Sequence, residues 1–358
     1  MPVKEVEVST EKEQFFNCAF LAALANGKSV IHSVRQTPEI LAFADYLGEI
    51  GSEVSIIELP KTGSENREFD WEITGTNFNY KKPLDLNWLG NELPYQQRNQ
   101  KIVAQLLNGS SLCFEEKIAV RDSLIRELAT FGAQVKWVQD GTDEPDELTR
   151  RLARVQKIKN ERKWIFDMQP SRSLLAKERY IAGDVSQAAA VILATTLTPN
   201  SEIKIKNVNL DQSRAGIFGA FKRLGAEIEI TSRHERGNDI WGDISVKSAK
   251  SLVGKRFNPD VLATCLDEIP LLAVMASFAE DETVLHIPTY ALNYCKPVLS
   301  CLFTNLKLAG IDCGLFEEGL ILRGRDEIIP ADFDSAGFPI LELALEVLAT
   351  SKNFVRNS

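Results

Sequence analysis

Asp267 and Glu268 stand directly before Ile269-Pro270 and the apolar run Leu271–Ala276. A carboxylate at the mouth of an apolar helix has two uses. It satisfies the helix N-terminus, or it gives and takes a proton in a cleft. The cap is the simpler reading of Asp267, with a catalytic base as the alternative. Cys295 has no histidine near it in sequence, so it reads as a buried thiol rather than a nucleophile. The basic run Arg150, Arg151, Arg154, Lys157, Lys159, Arg162 and Lys163 has the composition of a nucleic-acid contact. It reads more simply as the solvated face of a helix with Leu148, Leu152 and Val155 on its apolar stripe and Thr142 or Asp143 as its cap.

Six cysteines, none in a C-x-x-C pair, and three histidines predict neither a disulfide framework nor a zinc site. No cofactor is expected. A net charge of −9 supplies no global field for nucleic acid or an anionic membrane. The apolar runs are too short and interrupted to span a bilayer, and the charged opening Met1–Thr10 reads as a strand. The expectation is a reduced, cytoplasmic protein.

The elements that must position these groups recur. An apolar helix, a polar break and a strand are written at Leu21–Ile31, Val103–Cys113, Leu193–Ile203 and Ala273–Leu285. A second helix and strand follow in each copy, joined at Gly51, Gly132, Gly225 and Gly310. Glycine suits a chain leaving a helix through a left-handed position. Strand segments such as Glu202–Lys206 and Glu227–Ile230 alternate apolar and polar residues, so each sheet has one wet face. The first helix of each copy is apolar nearly all round and belongs between sheets. A fifth half-copy lies at Leu341–Val355. The stretch Ser64–Pro83, with Phe69, Trp71, Phe78 and Tyr80, reads as strand and loop.

Two segments carry a family resemblance. They are YIAGDVSQAAAVILATTLTPNSEIKIKNVNLDQSRAGIFGAFKRLGAEIEI at 180–230 and LDEIPLLAVMASFAEDETVL at 266–285. Both resemble the enolpyruvyl transferases, and most of all the 5-enolpyruvylshikimate-3-phosphate synthase family. The resemblance implies an α/β (α+β) fold of two domains, each made of repeated βαβαββ units around buried helices. It implies domains of 13–182 and of 1–12 with 183–358, crossing near Lys12 and Gly183. One unit is missing from the first domain, between Val138 and Lys163, and the last unit is truncated. In this reading Gly183-Asp184 and the segment holding Arg214 are structural, with Asp184 capping the next helix.

The implied reaction joins phosphoenolpyruvate to shikimate 3-phosphate in aromatic amino acid biosynthesis. Two polyanions need several Lys and Arg, and the enolpyruvyl carbon needs an acid and a base. The family's Lys-Ser-x-x-x-Arg aligns with Lys12, Glu13 and Asn17. Its Gly-rich loop matches Leu89-Gly90-Asn91, then departs, with Leu93 at the second glycine and Arg98 one residue past the motif arginine. Arg121 lies near a further family arginine, whose aligned position is Ala119. Asp267 falls on a family base. The later Lys, Glu and Arg become Tyr294, Cys295 and Val298, and Asp-His-Arg becomes Phe338-Pro339-Ile340. Lys12 and Asp267 are thus the carried-over catalytic candidates, with Asn91, Arg98 and Arg121 as substrate-binding candidates. Loss of the remaining charges predicts an impaired or inactive homologue. A divergent active transferase and a protein-interaction scaffold are the alternatives. A cleft lined by several Lys and Arg would favour phosphoenolpyruvate, shikimate 3-phosphate or another small anion. One filled by Leu93, Tyr294 and Phe338 would favour a closed scaffold and a protein partner.

Overall fold

The computed structural model describes residues 3–60, 67–90, 94–116, 123–139, 164–211, 213–236, 239–325 and 327–351. One sheet pattern recurs through it. In the first unit, β2 (Lys28–Val34), β3 (Glu53–Glu58) and β4 (Phe69–Thr74) pair in the order β3-β4-β2. The second unit uses β5 (Leu112–Glu116), β6 (Val135–Gln139) and β7 (Trp164–Met168), in the order β5-β7-β6.

In each unit the last strand lies between the other two. The third unit repeats this with β9 (Glu202–Asn209), β10 (Glu227–Ile230) and β12 (Asp239–Lys247), and β11 (His234–Arg236) adds to β12. The fourth has β14 (Glu282–His286), β15 (Asp312–Phe316) and β16 (Gly319–Arg323). A parallel strand flanks the first strand of three units: β8 (Glu178–Tyr180) on β2, β1 (Lys4–Glu7) on β9, and β13 (Arg256–Phe257) on β14.

The outer helix of each unit is one-sided. In the helix Pro38–Ile50, Ile40, Phe43, Leu47 and Ile50 are buried, Thr37 accepts from the Ile40 N–H at 3.3 Å, and Pro38 takes the first turn. Gly51 ends it at φ +109°. Gly225 does the same for the helix Gly216–Leu224 at φ +116°.

Two of the inner helices are buried nearly all round, as the sequence predicts, whereas the helix Pro94–Leu107 departs from that expectation and leaves Gln97 and Lys101 exposed, because its polar residues face outward. Phe15 and Asn17–Leu24 are buried in the helix Lys12–Leu24, and all of Ile269–Ala276 is buried. The half-copy near the C-terminus forms the helix Pro339–Thr350.

Two hydrophobic cores result. One gathers residues from Phe15 to Ile181, and the other joins Val8 and Tyr95 to residues from Val185 to Leu348. The chain passes between them at two adjacent strands. Glu11 N–H donates to the Ala182 carbonyl at 2.9 Å, and Asp184 N–H donates to the Ser9 carbonyl at 2.7 Å. A Cβ on Gly183 would lie 2.7 Å from the Val8 side chain, so only glycine lets the two passages lie this close. β1 therefore belongs to a sheet of the second core, and β8 to a sheet of the first. The helix expected over Leu148–Arg162, with its basic face, falls outside the described residues. No helix among the described residues is long and apolar enough to cross a membrane.

Candidate functional site

An open cleft of about 550 Å³ lies between the two halves. Its walls come from the start of the Lys12–Leu24 helix, the turn around Trp88, the start of the Val185–Leu197 helix, and Asp267 and Tyr294. The structure thus brings Lys12 and Asp267 to one cavity from opposite halves of the chain. Asn91 and Arg121 lie outside the described residues.

Arg98 is placed elsewhere. It is buried, donates to Glu116 on β5 at 2.7 Å, and lies 5.8 Å from the Trp137 ring centre. One residue of slip turns a helical side chain about 100°, and here that turn takes the guanidinium to a strand instead of the cleft.

Among the described residues, five carboxylates line the cleft, from Glu11, Glu13, Glu39, Asp184 and Asp267, against the cations Lys12 and Arg214. Both cations are engaged within the protein. Lys12 Nζ is 2.5 Å from Glu39, and Arg214 contacts Glu268 at 2.5 Å and Glu11 at 3.3 Å. The altered motif positions also have internal partners. Asn17 donates to Ser123 Oγ at 2.8 Å, Tyr95 donates to Glu13 at 3.5 Å, and Tyr294 donates to Asp267 at 2.9 Å. Judged by its described residues, the cleft is therefore neither cation-lined nor filled. Tyr294 stands in its wall with Pro339 and Ile340, Phe338 is not among its lining residues, and Leu93 is outside the described residues.

Asp267 does not cap the following helix. Glu268 occupies the cap position and makes no capping hydrogen bond, because its carboxylate turns inward to Arg214 and accepts from Ser186 Oγ at 2.5 Å. Asp184 does cap as expected, accepting from the Gln187 N–H at 2.8 Å. Burial, then the Glu11 charge, push the Asp184 carboxyl up to about 7, against the pull of Arg214. Burial first, and the Asp267 charge second, push the Cys295 thiol up to about 12. That thiol stays protonated and unreactive near neutrality, in keeping with the sequence reading.

Next to the cleft, and sharing Glu11, Glu13 and Arg214 with it, the halves meet around a small cavity of about 30 Å³. Arg126 pairs with Asp211, Arg179 Nη1 lies 2.7 Å from Asp239, and Gln14 donates to Asp239 at 2.7 Å. Arg179 also grips buried Glu127 at 2.5 Å. Burial alone would weaken the Arg179 charge, but Glu127, and more weakly Asp239, hold its pKa above the usual arginine value. Sequence reasoning placed Asp211 in the structural segment that holds Arg214 and missed Gln14, Arg126, Glu127, Arg179 and Asp239, whose partners lie tens of residues or more away.

Repeated βαβαββ-type units with buried inner helices, and a cleft where two halves meet, define an enolpyruvyl transferase fold. The family profile for EPSP synthase (3-phosphoshikimate 1-carboxyvinyltransferase) matches residues 153–337, and the chain belongs to that family. Relatives named 3-phosphoshikimate 1-carboxyvinyltransferase include one from Bacillus pumilus (strain SAFR-032), 32% identical over 44% of this chain and 37% of the relative. Another, from Desulforudis audaxviator (strain MP104C), is 29% identical over 74% of this chain. The chain spans about half of that relative's length, 56%. Among solved structures, EPSP synthase from Acinetobacter baumannii superposes with a TM-score of 0.71 at 17% identity, covering 98% of this chain and 90% of that one. The enolpyruvyl transferase NikO from Streptomyces tendae gives 0.60 at 12% identity, covering 96% and 88%. These structural likenesses speak to the fold.

Proposed function

We propose that this chain is a cytoplasmic member of the EPSP synthase family that has lost enolpyruvyl transfer and keeps the fold as a binding scaffold. Its two domains are 13–182, and 1–12 with 183–358. The observation that carries this reading is the charge of the cleft. Phosphoenolpyruvate and shikimate 3-phosphate are polyanions, and among the described residues acidic side chains outnumber basic ones in the cleft, five to two. There Arg214 is held by buried Glu11 and Glu268, and Lys12 lies against exposed Glu39. Each missing bidentate arginine or acid-base group costs on the order of 10²-fold or more in rate, so several together remove measurable turnover.

Thermal unfolding with phosphoenolpyruvate and shikimate 3-phosphate, separately and together, tests the reading alongside a phosphate-release assay. A ligand at ~100 times its Kd adds roughly 2.7 kcal/mol of stability. The expected result is no shift at millimolar ligand and no phosphate. Release of phosphate from the two substrates overturns the proposal.

A second reading rests on Lys12 and Asp267 facing the same open cleft. In it the chain is a divergent active transferase with Asp267 as the base and Lys12 on the anions. Tyr294 donates to Asp267 at 2.9 Å in the wall of that cleft. Unchanged turnover in Asp267→Asn would remove Asp267 from that role.

A further inference from the structure

Beside the open cleft, the two halves are joined by pairs of charges. From the first half, Arg126 and Arg179 reach Asp211 and Asp239 of the second. Arg35, also in the first half, donates to the Val8 carbonyl at 2.6 Å and lies 3.1 Å from Glu7 on β1. Each arginine is mostly buried: Arg35 and Arg179 are 6% and 7% exposed, and the Arg126 side chain 24%. Pairs this buried escape most salt screening. Separating the halves would leave Arg179 paired with Glu127 but would take Asp239 from it and Asp211 from Arg126.

A two-domain protein with a polar interface is expected to open and close about its crossings. A ligand closes such a protein only by binding the closed state better. Here the arginines and carboxylates of the chain itself supply that preference. We infer that Arg126–Asp211, Arg179–Asp239 and Arg35–Glu7 form a built-in latch that holds the halves closed without any ligand. The latch is independent of whether the cleft performs transfer, since none of these pairs includes Lys12 or Asp267. Its consequence is a molecule whose shape does not respond to anions and which presents one fixed surface.

Small-angle X-ray scattering of the ligand-free full chain tests this. A compact chain of this length has a radius of gyration of about 21 Å. The expected wild-type value is that one, unchanged by phosphoenolpyruvate with shikimate 3-phosphate. A wild-type value well above it, falling on addition of those anions, overturns the latch whatever the variants do. Arg126→Glu with Asp239→Asn reverses one charge and removes another, and is expected to raise the radius and expose the crossings to protease. Arg126→Lys keeps the charge and is expected to stay compact. Circular dichroism separates an opened molecule from an unfolded one. A folded Arg126→Glu/Asp239→Asn variant with wild-type radius and wild-type cleavage also overturns the proposal.

Discussion

At the residue scale, Asp184 is the group whose chemistry the fold changes most visibly. Glu11 and Glu268 join it around the Arg214 guanidinium, so three carboxylates share one cation. Its carboxyl is raised from an ordinary 3.8 to about 7. Because the folded value lies above the unfolded one, its contribution is fully favourable below about pH 4 and is lost as pH rises through 7. A tenfold change in acidity corresponds to about 1.36 kcal/mol, so the effect is on the order of a few kcal/mol. Asp184→Asn mimics the protonated form and keeps the oxygen that caps Gln187. It is expected to raise the melting temperature at pH 8, leave it unchanged near pH 4, and flatten the dependence between. Equal changes in melting temperature at both pH values would show that Asp184 does not titrate this way.

Cys295 offers a second test at this scale. Its thiol is held at about 12, whereas Cys113 is exposed on β5. Alkylation of the native protein at pH 8, read by mass spectrometry, is expected to modify Cys113 and spare Cys295 until denaturant is added. By contrast, the Lys12–Glu39 pair is solvent-exposed. Its removal by Glu39→Gln is expected to move stability by no more than ~1 kcal/mol.

At the element scale, the helix-to-strand joints carry the repeat. Gly225 sits at φ +116°, and a Cβ there would approach the Ser251 carbonyl to 2.8 Å. Gly225→Ala combines backbone strain with that clash and is expected to cost about 1–2 kcal/mol or more in urea unfolding. The inner helices depend instead on packing. Phe15 is fully buried and meets Trp71 edge-on with ring centres 5.1 Å apart. Phe15→Ala is expected to cost ~3–5 kcal/mol with an unchanged denaturant slope.

The element patterns are legible in the sequence because they are local. An all-apolar helix at Leu21–Ala25 has nowhere to go but between sheets, and glycine at 51, 132, 225 and 310 marks a backbone requirement rather than a contact. The cap expected at Asp267 fails because its outcome is not local. Sequence order puts Asp267 and Glu268 side by side, but the structure gives the cap position to Glu268 and turns its side chain to Arg214, 54 residues away.

At the scale of the whole molecule, two cores share one chain that passes between them twice, at Thr10 and Gly183. That arrangement places residues near the N-terminus beside residues two hundred positions later, as in the hydrogen bond from Gln14 to Asp239. By itself the sequence determined the repeat, the apolar helices and the glycine joints. Each of these follows from residue type and short-range spacing. The tertiary structure alone decided which of the described charges share the cleft and which arginine pairs join the halves beside it. Electrostatic pairing depends on distance and burial in space, and residues far apart in sequence acquire both only when the halves fold against each other.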